Sequence, residues 1–86
     1  MKHRATRRFW QTYRALPQPA RAIADKNFKL LKVDQRHPSL HFKRIGRAYS
    51  VRVGLDYRAL ALVNGDEAVW FWIGSHADYD AILKSL

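Results

Sequence analysis

Residues 49–80 read YSVRVGLDYRALALVNGDEAVWFWIGSHADYD, and the spacing of their apolar residues decides the fold. Three runs, Tyr49–Val53, Tyr57–Val63 and Ala68–Ile73, have strand length and are rich in β-branched and aromatic side chains. Gly54-Leu55-Asp56 and Asn64-Gly65-Asp66-Glu67 separate them and have the length and composition of hairpin turns. The stretch therefore predicts an antiparallel meander. Counting outward from the first turn pairs Val53 with Tyr57 and Arg52 with Arg58. The second turn pairs Val63 with Ala68, Ala61 with Trp70 and Ala59 with Trp72, which sets small alanines opposite large indoles. In this register the arginine face continues with Leu60, Leu62, Val69, Phe71 and Ile73, while both tryptophans lie on the other, almost wholly apolar face.

Upstream, Leu40–Ile45 predicts a further strand, joined through Gly46-Arg47-Ala48 by a hairpin or merged with its neighbour around a bulge at Gly46. Before it the period changes to that of helices. Thr6 is a good cap for a helix that carries Phe9, Trp10, Tyr13 and Leu16 on one side. Pro17-Gln18-Pro19 interrupts it, because proline lacks an amide donor and restricts the residue before it. Pro19 suits the first turn of a second helix, striped by Ala20, Ile23, Ala24, Phe28 and Leu31 and ending near Val33. So short a connection makes the two helices antiparallel neighbours. Ser75 can cap a last short helix carrying Tyr79, Ile82, Leu83 and Leu86, and the residues before Thr6 have room for a short edge strand. The expected fold is α+β, with a helical hairpin packed on an antiparallel sheet of three to four strands and a short carboxy-terminal helix.

The 86 residues suffice for one domain, 1–86. There is no cysteine, which excludes disulfides and cysteine-based zinc sites and favours a reducing compartment. No apolar run is long enough to span a bilayer, and the basic amino terminus lacks the apolar stretch of a signal peptide. The expected location is cytoplasmic. The net charge is +9, and it is uneven: residues 1–47 hold 13 Lys and Arg against 2 acids, residues 48–86 hold 3 against 5. Such a chain calls for an acidic partner or a polyanion.

Directly opposed arginines repel unless something negative lies between them, and a phosphate is the natural candidate. The alternative is that Arg52 and Arg58 each reach solvent or pair with an acid such as Asp56 or Asp78. His76 follows the last strand at the mouth of the final helix, and the register brings it close to Arg58. A histidine beside two arginines can serve as the acid–base group of phosphodiester chemistry; otherwise it is a surface or capping residue. His37 and His41 are four apart, but Pro38 argues against a helix presenting both to a metal. No phosphate loop and no serine or cysteine nucleophile motif is present. Trp70 and Trp72 are expected in the core rather than stacked on bases.

Two pieces of residues 49–80, the Tyr57-Arg58 step with its apolar strand and the Gly-Ser-His-x-Asp-Tyr run Gly74–Tyr79, resemble the carboxy-terminal half of RelE/ParE superfamily toxins. The amino-terminal helices match that family as architecture. The resemblance implies a toxin neutralised by an antitoxin, acidic where the two meet, and no cofactor or metal. RelE-like members cleave mRNA in the ribosome by activating a ribose 2′-hydroxyl against the adjacent phosphate. On that pattern Arg58 corresponds to the arginine at the scissile phosphate, Arg52 to a basic residue of the preceding strand and His76 to the catalytic histidine of some members. Lys43, Arg44 and Tyr79 are the candidate substrate contacts, Tyr79 for stacking on a base. The expected function is a metal-independent mRNA endoribonuclease acting on translating ribosomes. The alternatives are a ParE-like toxin that inhibits DNA gyrase and a plain nucleic-acid-binding module.

Overall fold

The computed structural model describes residues 1–85, in the order β1 (Lys2–Ala5), α1 (Arg7–Arg14), α2 (Gln18–Val33), a 3-10 turn (Pro38–Leu40), β2 (Lys43–Ile45), β3 (Ala48–Val53), β4 (Tyr57–Asn64), β5 (Glu67–Ser75) and α3 (His76–Leu83). The helix starts follow the sequence. Thr6 Oγ1 accepts the amide of Phe9 at 3.2 Å, Pro19 sits in the first turn of α2, and Ser75 Oγ accepts the amide of Asp78 at 3.2 Å. Leu86, which periodicity assigns to the apolar side of α3, lies outside the described residues.

The sheet has five strands in the order β1-β5-β4-β3-β2. The meander β2 to β5 is antiparallel, and β1 adds a parallel edge strand against β5. The sheet is therefore mixed. β2 is shorter than its apolar pattern predicts, because Pro38 opens a 3-10 turn that takes up Leu40 and leaves Lys43–Ile45 for pairing. Gly46-Arg47 then turns the chain so that Ile45 faces Ala48, a hairpin rather than a merged strand. Gly46 takes a φ of +58° with nothing near its missing Cβ, so its role is conformational.

The first hairpin has the expected register, with Val53 opposite Tyr57 and Arg52 opposite Arg58. The second starts as expected, Val63 with Ala68 and Ala61 with Trp70, and then shifts at a bulge between Leu60 and Ala61. Beyond the shift Leu60 faces Trp72 and Ala59 faces Ile73. This corrects the expectation that Ala59 meets Trp72. An extra residue in one strand reverses the facing of everything after it, so Trp72 crosses to the arginine face and Ile73 leaves it.

The two faces carry two cores. Leu16, Ala20, Leu31, Val51, Trp70 and Ile73 are among the buried residues between the sheet and the helices α1 and α2. Ala48, Leu60, Trp72 and Tyr79 form a smaller one under α3. The helical layer is not tightly closed. A largely apolar cleft of about 350 Å³ lies between α1, α2, β1 and the sheet, with Phe9, Trp10, Phe28 and Trp70 among its walls. It lies across the sheet from the charged residues described next.

Candidate functional site

Along β3, Ala48, Ser50 and Arg52 alternate onto one face, and the β3–β4 register sets Arg58 directly opposite Arg52. α3 closes this face. It is pinned at its start by the Ser75 cap and by the His76 amide, which donates to the Asp56 carbonyl in the β3–β4 turn at 2.9 Å. This places Tyr79, 4% exposed, over the sheet, with the Arg58 guanidinium carbon 5.5 Å from its ring centroid. Arg58 itself is only 8% exposed, which is unusual for a charged side chain.

Four polar atoms of this face and the helix over it, Ser50 Oγ, Arg52 Nε, Arg58 Nη1 and Tyr79 Oη, are each buried and without a hydrogen-bond partner in the protein. An orphaned buried donor costs on the order of 1–3 kcal/mol, and more when charged. A fold tolerates several together where a ligand completes them. No carboxylate among the described residues pairs with either arginine, so the alternative pairing with Asp56 or Asp78 is not made. Hydroxyls and guanidinium groups with this arrangement can seat an oxyanion.

One imidazole joins the cluster, and it is not His76. His41, which ends the 3-10 turn in the left-handed region at φ 45°, brings its Nε2 to 3.3 Å from Arg52 Nη1. Arg52, with lesser contributions from burial, Arg58 and Lys43, holds the His41 pKa below the ordinary histidine value. His76 is exposed instead and turns to its own helix, with Nδ1 3.5 Å from Asp80 Oδ2. Its ring meets the Tyr79 ring edge-on at 5.7 Å between centroids, so it borders the site without entering it. The bulge contributes to this, because Tyr57 faces Ser75 rather than Gly74 and the start of α3 moves on by a residue.

The structure thus brings together Arg52, Arg58 and Tyr79 of the residues expected from sequence, with Lys43 alongside, since it faces Ser50 from β2. Arg44 alternates to the other face, where its Nε donates to the Gly46 carbonyl at 3.0 Å. Sequence reading missed Ser50 and His41. Ser50 had a usable signal, standing two residues before Arg52 in a strand. His41 had none, because its approach to Arg52 depends on the path of the 3-10 turn. Among the described residues no group of three His, Asp or Glu has the arrangement of a metal site.

A helical layer on a five-stranded sheet, closed at its other face by a short last helix, is the fold of RelE-type toxins. A chain of the RelB–RelE antitoxin–toxin complex from Methanococcus jannaschii superposes with a TM-score of 0.72 at 20% identity, covering 91% of this chain and 96% of that one. The free Escherichia coli toxin RelE, in a form with two arginines replaced, gives 0.67 at 14% identity over 99% and 96%. The RelBE2 toxin–antitoxin complex of Mycobacterium tuberculosis gives 0.64 at 21% identity over 90% and 92%. No curated protein sequence matches the chain at a significant level. The ParE-like toxin domain family matches residues 20–81, well over half of the sequence, and the chain belongs to that family.

Proposed function

We propose that this protein is the toxin of a toxin–antitoxin pair and acts in the cytoplasm as a metal-independent endoribonuclease on mRNA in translating ribosomes. The observation that carries the reading is the unpartnered cluster of Ser50, Arg52, Arg58 and Tyr79. Its donors suit a phosphodiester, and two guanidinium groups can stabilise the charge that builds on phosphorus during transesterification. Lys43 extends the cationic track along the same face. The proposed partner is an antitoxin that is acidic where it meets the toxin. Among the described residues Arg4 is the one Lys or Arg side chain within 4.0 Å of a carboxylate, which leaves the rest of the positive surface to be matched from outside.

Mapping RNA 5′ ends in cells that express the chain tests the reading. New cleavages are expected with wild type and not with Arg58→Ala, whose loss removes a charge aimed at the phosphate and lowers cleavage by roughly 10²-fold or more. Growth arrest with intact RNA and relaxed plasmid DNA would instead establish the gyrase reading, for which the ParE-like family assignment speaks. Nucleic-acid binding with neither effect leaves a plain binding module.

A further inference from the structure

His41 stands in an arrangement with a chemical consequence. Its Nε2 lies 3.3 Å from Arg52 Nη1. A guanidinium can only donate, so Nε2 accepts, and the ring is neutral with its proton on Nδ1. The charged groups acting on the ring are Arg52 on β3, Arg58 on β4 and Lys43 on β2, all cations. In the free protein the acceptor nitrogen is therefore both covered by an N–H and made less basic by its surroundings. Arg52 is poorly satisfied by this contact, since its Nε keeps no partner, and Arg58 Nη1 has none either.

We propose that His41 is the proton-transfer residue of this site, and that an anion seated between Arg52 and Arg58 frees its Nε2 to act. A phosphate offers both arginines a better acceptor than an imidazole. Arg52 then turns its N–H to the anion and uncovers the Nε2 lone pair. The negative charge also cancels the field of the two guanidinium groups, so the ring becomes more basic when a proton has to be taken. The coupling is reciprocal: a protonated His41 adds a cation beside the seat and tightens the anion.

The proton-transfer half rests on the RNA-cleaving reading; the anion coupling does not. In the reaction, Nε2 takes the proton of the ribose 2′-hydroxyl as the 2′-oxygen bonds to phosphorus. The bond from phosphorus to the 5′-oxygen breaks, and that oxygen takes a proton from water. The products are a 2′,3′-cyclic phosphate and a 5′-hydroxyl, and the imidazolium returns its proton to solvent.

The coupling is read by following the His41 ring signals of the purified protein against pH by NMR, in inorganic phosphate and in sodium chloride of equal ionic strength. Phosphate is expected to raise the His41 midpoint by about one unit, and Arg58→Gln to abolish the rise. An unchanged midpoint overturns the coupling whatever the protein does to RNA. For the proton-transfer half, His41→Asn keeps a side chain that tolerates the left-handed backbone and is expected to slow RNA cleavage roughly 10²-fold with RNA affinity retained. Full cleavage by His41→Asn, or loss on His76→Ala alone, overturns that assignment. A wild type that leaves RNA intact removes the nuclease reading and the proton-transfer role with it, and the phosphate titration still decides the coupling.

Discussion

Ser50 is fully buried, and its hydroxyl has no partner in the protein, at a strand position where alanine would bury no polar atom. Removing an orphaned buried hydroxyl relieves its desolvation cost, so Ser50→Ala is expected to raise stability by about 1 kcal/mol in urea unfolding. If the hydroxyl serves the anion seat, the same variant binds phosphate several-fold more weakly. Gain of stability with loss of binding is the mark of a group kept for a ligand; a destabilised variant with unchanged phosphate affinity would make Ser50 structural. His3 is a residue of the opposite kind, partly buried with its Nδ1 partnered. Trp70 donates its indole N–H to His3 Nδ1 at 3.1 Å, and the imidazole stacks on that indole at 6.2 Å between centroids. Burial first, then the amino terminus and Lys32, hold its pKa below the usual 6.5. Protonation of Nδ1 leaves the indole without its acceptor. The folded value is depressed, so the stabilisation is complete above the unfolded value and is lost as pH falls through the folded one. Urea midpoints are expected to drop between about pH 7.5 and about pH 5 in wild type, and His3→Gln to flatten that dependence.

At the scale of elements, β5 carries most of what the sequence concealed. Its first half obeys the period of two, and its second half is displaced by the bulge opposite Leu60 and Ala61. Nothing in WFWIGS announces an extra residue, because Trp70, Phe71, Trp72 and Ile73 are all apolar and each face accepts any of them. The helix caps, the turns and the Arg52–Arg58 pair were legible because each rests on local chemistry or on a short, glycine-bearing turn. The site was legible as far as that hairpin reached, and no further. Tyr79 and His41 arrive from other elements, and the place of His76 was inferred through the very strand that slips. Gly74 makes the slip tolerable. It faces Arg58, and a Cβ there would lie 2.5 Å from Trp72 Cζ2, so the indole folds over a position that must have no side chain. Gly74→Ala is expected to cost about 1–3 kcal/mol by forcing Trp72 off its place. Because Trp72 and Tyr79 share one small core, α3 should loosen as well. A melting curve gives the cost, and faster amide exchange in α3 than in α2 would show where it falls. Uniform loss across both helices would mean that the indole is not what holds α3 down.

The whole molecule sets its charges on two sides of one sheet. The anion seat lies under α3, while Arg7, Arg8, Lys26 and Lys29 are exposed on the helical layer packed against the other face. The body measures 31 × 28 × 24 Å, so no single phosphodiester in the seat can reach both sets. On the proposed function the helical cations would meet a second stretch of polyanion, ribosomal RNA, on their own side of the sheet. Arg7 and Arg8 argue most directly for such a role. They open α1, a helix with no acid in its first turn, and cations at a helix start oppose its dipole. Reversing both charges is expected to stabilise α1 by about 0.3–1 kcal/mol per residue and, at the same time, to weaken binding to ribosomes. The dependence of log affinity on log salt should become shallower by roughly 0.7–0.9 for each phosphate that is no longer neutralised, while the phosphate response of His41 persists across the sheet. A charge-reversed protein that binds ribosomes with the original affinity and salt slope would reduce the helical cations to a solvated surface. The seat under α3 would then have to find its RNA without help from the rest of the molecule.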